Sequence, residues 1–152
     1  MPLTVRAFCQ YLTRGDPGTW RQDDFHASKF IKAIKGEKIK GWAEVPFFGE
    51  RWRLEQQNAH EAVELFARWA AWDLLTRFPL EEVVLLPVPS SNTVETSRTP
   101  SRAARISERI VAHMSRARVL DVLRWAHPMT PAHQGGPRAP GELLQAVRLL
   151  DA

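Results

Sequence analysis

Val83-Val84-Leu85-Leu86-Pro87-Val88-Pro89-Ser90-Ser91-Asn92 decides the fold class: β-branched and aliphatic residues run into two prolines and then a small polar turn. A short, continuous apolar run bounded by Glu81-Glu82 and by prolines has the pattern of a strand covered on both faces, and therefore of a central parallel strand. In open parallel sheets the ligand crevice lies beyond the carboxyl ends of the strands. The loop after this strand is thus the first place to look for function. Ser90, Ser91 and Asn92 offer small hydroxyl and amide side chains beside backbone N–H groups, which suits a phosphate or pyrophosphate. The helix that follows adds the positive end of its dipole. Arg98 and Arg102 stand where guanidinium groups could make bidentate contacts. The same residues also read as an ordinary strand-to-helix turn with a solvated arginine flank.

Downstream, Thr99-Pro100 predicts a helix start, with Thr99 as N-cap and Pro100 at the first helical position. That helix runs to about Arg116, with Ala103, Ile106, Ile110 and Met114 on its inner face and Arg98, Arg102, Arg105 and Arg109 along one flank. Val119 to Trp125 reads as another strand. The stretch Ala126–Gly141 holds four Pro and three Gly, which predicts a long mobile loop. It carries His127, His133 and Arg138 as candidate loop residues. Glu142 to Gln145 could close it, and Ala146 to Leu150 suits a third strand.

Upstream, Phe25, Phe30, Ile31 and Ile34 recur at helical spacing and Gly36 follows as a stop, so residues 25–35 read as a helix. Residues 38–54 are aromatic and β-compatible but interrupted by Pro46 and Gly49, which suits a short irregular hairpin or a loop with one strand. Ala62, Leu65, Phe66, Trp69, Ala70, Trp72 and Leu75 form a broad stripe on a helix over 56–77, and its spacing places Trp69 and Trp72 in the core. Met1 to Tyr11 could be a short helix or a strand, and Thr13 to Gly18 is a turn. The order strand, helix, strand, long loop, strand predicts an α/β fold with an open parallel sheet. The expected division is an N-terminal helical and hood-like region over 1–79 and a partial α/β core over 80–152, or one continuous domain.

Composition bounds the function. The chain has 152 residues, 44% of them hydrophobic and 25% charged, which is ordinary globular usage and excludes a disordered or collagen-like class. A formal charge of +4 gives a mild general attraction for phosphates. A single cysteine, Cys9, excludes an intramolecular disulfide and a thiolate-only zinc site. The five histidines lack metal-ligand spacing, so no metal site is assigned to them. No apolar run is long enough to span a membrane, and the start lacks signal-peptide regions, so the expectation is a cytoplasmic protein without membrane contact.

The stretch 83–91 followed by an arginine-rich helix resembles the type I phosphoribosyltransferase fold, particularly its amidophosphoribosyltransferase-like competence-protein branch. The first core strand of that family ends in a similar Val-Pro-Val-Pro sequence, and the loop after it binds pyrophosphate. Residues 25–36 also look like the family's upstream lysine-containing helix, and Ala126–Gly141 sits where such enzymes place the loop that closes over the active site. The resemblance implies a phosphorylated ribosyl or nucleotide ligand in nucleotide metabolism, bound through Ser90, Ser91, Asn92, Arg98 and Arg102, with Mg²⁺ accompanying phosphoribosyl pyrophosphate. If active, the protein would transfer a phosphoribosyl group. The family's acidic pair followed by a Thr/Gly-rich loop does not occur in these 152 residues, so the implied protein is a truncated piece or a catalytically degenerate relative.

Two further readings stand beside this one. Arg98, Arg102, Arg105, Arg109, Arg116 and Arg118 could form a non-enzymatic surface for nucleic acid or a partner protein. An incomplete sheet would also leave an open edge, which predicts self-association or a covering partner.

Overall fold

The computed structural model describes residues 18–131, 134–137 and 139–150. The expectations for residues 1–17, and the loop residues His133 and Arg138, lie outside them. The chain is mixed α/β and divides into two compact units, residues up to Leu74 and residues from Leu75 on.

The first unit is built from a helix, a hairpin and a second helix. Helix α1 spans Gln22–Ile34, three residues earlier than the spacing predicts. Its start is set by Asp24, whose carboxylate accepts the Arg21 backbone N–H at 2.8 Å and the Arg21 guanidinium at 3.1 Å. This satisfies an N–H that a helix start otherwise leaves unpaired. The same carboxylate holds the Arg21 guanidinium above its ordinary pKa through hydrogen bonding and charge. Strands β1 (Ala43–Phe47) and β2 (Glu50–Leu54) form a regular antiparallel hairpin pairing Ala43 with Leu54 and Phe47 with Glu50. Pro46 is tolerated because β1 has β2 on one side only among the described residues.

The hairpin turns through two residues, Phe48 (φ +47°) and Gly49 (φ +87°). Positive φ at both positions matches the right-handed twist of the strands and is the reason Asn-Gly is the preferred pair. Gly49 fits this rule and Phe48 does not, since a side chain in the left-handed region costs about 1 kcal/mol. We therefore expect Phe48→Asn to raise the unfolding free energy of the unit by about 1 kcal/mol, read from urea denaturation.

Helix α2 spans Glu61–Arg77, preceded by a 3₁₀ turn at Gln56–Asn58, so the predicted 56–77 helix is split at its start. Phe30, Ala33, Ile39, Ala43, Val45, Phe47, Leu54, Ala62 and Leu65 form one buried cluster. The predicted burial of Trp72 is corrected: it is 50% exposed, and the small residues Ala62, Ala67 and Ala71 carry the inner face instead. Small residues let the helix approach its neighbours closely, which leaves the large indoles at the margin.

In the second unit, β3 (Val83–Leu85) pairs in parallel with β4 (Ala117–Val119), and α3 (Arg102–Val111) connects them and packs on β4. This is a βαβ unit, but its sheet has only these two strands among the described residues, so the expected open parallel sheet with a central strand is corrected to a single parallel pair. Its strand is shorter and barer than the apolar run predicts. Val84, Leu86 and Val88 are 42%, 49% and 67% exposed, whereas Pro87 and Pro89 are buried. Burial thus alternates, and only one face of the run is covered. Prolines lack the N–H a ladder needs, so pairing stops near Leu85, whose carbonyl accepts the Leu120 N–H at 2.9 Å.

The predicted strand Val119–Trp125 divides into β4 and β5 (Leu123–Trp125), and β5 pairs antiparallel with β6 (Val147–Leu149) after α4 (Pro140–Ala146). The break lies at Asp121, which turns back to bind Arg124 at 2.8 Å. The N-cap of α3 is Ser101, whose hydroxyl accepts the Ala104 N–H at 3.0 Å, so the helix starts two residues after the predicted Thr99. It ends at Val111, short of Arg116.

Candidate functional site

The loop after β3 has a fixed backbone. Pro89 offers its carbonyl to the indole N–H of Trp125 at 3.3 Å, Ser90 accepts the Thr93 N–H at 2.8 Å, and Ser91 accepts the Met129 N–H at 2.6 Å. Thr93 and Val94 continue beside Trp125: the Trp125 N–H donates to Thr93 O at 3.0 Å, and the Glu95 N–H donates to Trp125 O at 3.1 Å. The Val94 N–H is taken by the Ser97 hydroxyl at 3.0 Å. Trp125, 7% exposed, is the strut around which this loop is wound.

The side chains of Ser90, Ser91 and Asn92 take no part in these bonds. Ser90 and Ser91 are half-buried, Asn92 is exposed, and none of the three side chains makes a hydrogen bond among the described residues. The Met129–Ser91 bond also brings the start of the Pro/Gly-rich stretch against the loop. His127, two residues before Met129, is exposed, with Nδ1 3.4 Å from the Pro128 carbonyl oxygen. The contact between the two segments is this one backbone bond, Met129 N–H to the Ser91 carbonyl.

Arg98 and Arg102 are exposed at the entrance to α3, and Arg105 and Arg109 are exposed along it. None of the four makes a hydrogen bond or ion pair among the described residues. Arg116 and Arg118 are already engaged, the first with the Leu80 carbonyl at 3.0 Å and the second with Glu82 at 3.2 Å. Of the six arginines of the predicted nucleic-acid or partner surface, the four of the helix flank are therefore the unengaged ones.

Arg124 escaped the sequence reading. It is 6% exposed and forms a bidentate pair with Asp121, Nη1 to Oδ1 at 2.8 Å and Nη2 to Oδ2 at 3.1 Å, while its Nε finds no partner. The only signal in the sequence was an Asp three residues before an Arg.

Among the described residues no group of three or more His, Cys, Asp or Glu side chains is arranged to hold a metal ion, and no helix is long and apolar enough to cross a membrane. Comparison with protein-family models, with curated proteins and with solved structures gives no match to this chain.

Proposed function

We propose that the chain binds a phosphorylated small molecule, of the phosphoribosyl or nucleotide class, at the loop Pro89–Asn92, in the manner of a phosphoribosyltransferase-like core. The observation that carries this reading is the contrast within the loop: a backbone anchored at Pro89, Ser90 and Ser91, and three polar side chains left unbonded. An anchored backbone loses little entropy when a ligand arrives, and unbonded hydroxyl and amide groups lose no internal partner. In sequence the loop lies between a parallel strand and helix α3, at whose entrance Arg98 and Arg102 stand unpaired, and a helix start with basic side chains favours an anion. Ser90, Ser91 and Asn92 would hold phosphate oxygens, Arg98 and Arg102 would clamp them, and His127 would border the site.

Mg²⁺ enters this reading only with the ligand. It prefers carboxylates and phosphate oxygens, and Ser90–Asn92 supply neither, so the ion would rest on the pyrophosphate itself. The reading is one of binding, because ribosyl transfer needs further groups for positioning and charge stabilisation.

Titration calorimetry with inorganic pyrophosphate and with phosphoribosyl pyrophosphate, each with Mg²⁺, tests it. We expect measurable binding that Arg98→Ala with Arg102→Ala weakens about tenfold and that Ser90→Glu abolishes, since it places a like charge among the phosphate oxygens. Absence of heat, or heat that these substitutions leave unchanged, overturns the proposal.

The four unpaired arginines favour one second reading, contact with a nucleic-acid backbone. Its signature is binding to single-stranded RNA whose logarithmic affinity falls with salt by roughly 0.7 per phosphate contact, measured by fluorescence anisotropy.

A further inference from the structure

The first unit contains a cleft of about 640 Å³ between α1, the β1–β2 hairpin and α2. Small-molecule sites span roughly 300–1,000 Å³ and are mostly apolar with a few placed polar groups. This cleft fits that description: Phe30, Phe47, Phe48, Trp69 and Trp72 supply aromatic wall, and Asp23, His26, Glu44 and Arg51 supply the polar groups. At its rim the Phe48 and Trp72 rings meet edge to face, 5.2 Å between centroids, both about half exposed.

Two independent observations argue that this is more than a gap in packing. Phe48 occupies a turn position where asparagine costs less, so its ring is held in place against the backbone preference of the turn. Phe47, one of the lining rings, also carries a cation, the Arg68 guanidinium, at 5.1 Å from its centroid, with Arg68 itself not among the described residues lining the cleft. Charge then selects the ligand. Arg51 and Glu44 neutralise each other in an ion pair at 2.9 Å, and Arg21, which also feels the charge of Asp23, is hydrogen-bonded to Asp24 at 3.1 Å. Asp23, exposed in the first turn of α1, is the carboxylate at the cleft without a salt-bridge partner among the described residues.

We propose that this cleft binds a small aromatic ligand carrying a basic group, its ring against Phe48 and Trp72 and its cation towards Asp23. The proposal goes beyond the phosphate loop and does not depend on it, because every described residue lining the cleft lies between Asp23 and Trp72.

The test is a titration of the ¹⁵N-labelled full chain, followed by ¹H–¹⁵N correlation spectra, with phenethylamine and with 3-phenylpropionate, which share a ring and chain but differ in the sign of their charge. Phenethylamine is expected to move the Trp72 indole and Gly49 amide signals at millimolar concentration, with 3-phenylpropionate at least about tenfold weaker. Phe48→Asn is expected to weaken phenethylamine about tenfold without lowering the thermal midpoint, so loss of binding cannot be loss of fold. Asp23→Asn is expected to erase the preference between the two compounds, and Trp72→Ala, at a half-exposed helix position, to abolish binding. Unmoved cleft signals, equal or tighter binding of 3-phenylpropionate, or wild-type affinity in Phe48→Asn would each overturn the proposal.

Discussion

Asp121→Ala is expected to destabilise the second unit by about 3 kcal/mol, because it strips a buried guanidinium of its partner. Arg124 has 8% of its side chain exposed and Asp121 has 21%, so neither charge is well solvated in the fold. Removing the carboxylate deletes two hydrogen bonds and the charge that holds the guanidinium, and leaves Nη1 with only the backbone carbonyl oxygens of residues 121 and 123. The guanidinium, already lacking a partner at Nε, must then reach water by distorting the turn between β4 and β5. The double replacement Asp121→Leu with Arg124→Met should recover most of the loss, because it removes both buried charges together. Urea denaturation followed at Trp125, the single tryptophan of this unit, measures both.

Leu54→Ala should cost about 3 kcal/mol in the first unit. Leu54 is fully buried at the end of β2, opposite Ala43, and belongs to the cluster that joins α1, the hairpin and α2. Its direct partner across the hairpin is the small Ala43, which has no side-chain length with which to fill the space. The cavity therefore persists, and the penalty includes its surface as well as the lost transfer energy. Hydrogen exchange resolved by peptide separates this loss from that of Asp121→Ala. Leu54→Ala should speed exchange within residues 22–74, and Asp121→Ala within residues 83–150.

These effects show what was legible in the sequence. Helices α1 and α2 carry an apolar repeat that only a helix can bury, whereas residues 38–54 read as a short irregular hairpin or a loop with one strand, and the structure forms a regular hairpin over 43–54. The βαβ unit follows from Val83–Leu85 and the arginine-flanked helix. What was not legible depends on neighbours remote in the chain. Val84, Leu86 and Val88 read as buried because composition cannot say how many layers cover a strand. Thr99-Pro100 obeys every local rule for a helix start, yet Ser101 can take the cap as well, and a serine cap satisfies the same N–H group. The loop Ser90–Asn92 was visible as a polar turn at a strand end, whereas its anchoring by Trp125 and Met129 was not. The aromatic cleft was invisible, since Phe48 and Trp72 are far apart in sequence and Trp72 had a ready place in the core stripe.

The alternation along Val83–Val88 has a consequence for the protein as a solute. A short, uncharged, β-prone segment with one bare face is the kind that stacks with copies of itself into fibrillar cross-β assemblies. Here Glu81 and Glu82 precede it, and Pro87 and Pro89 interrupt it, so charge repulsion guards one end and missing N–H donors the other. The prolines that shorten β3 thereby act as gatekeepers, and the strand gives up ladder length in the fold in exchange for resistance to aggregation.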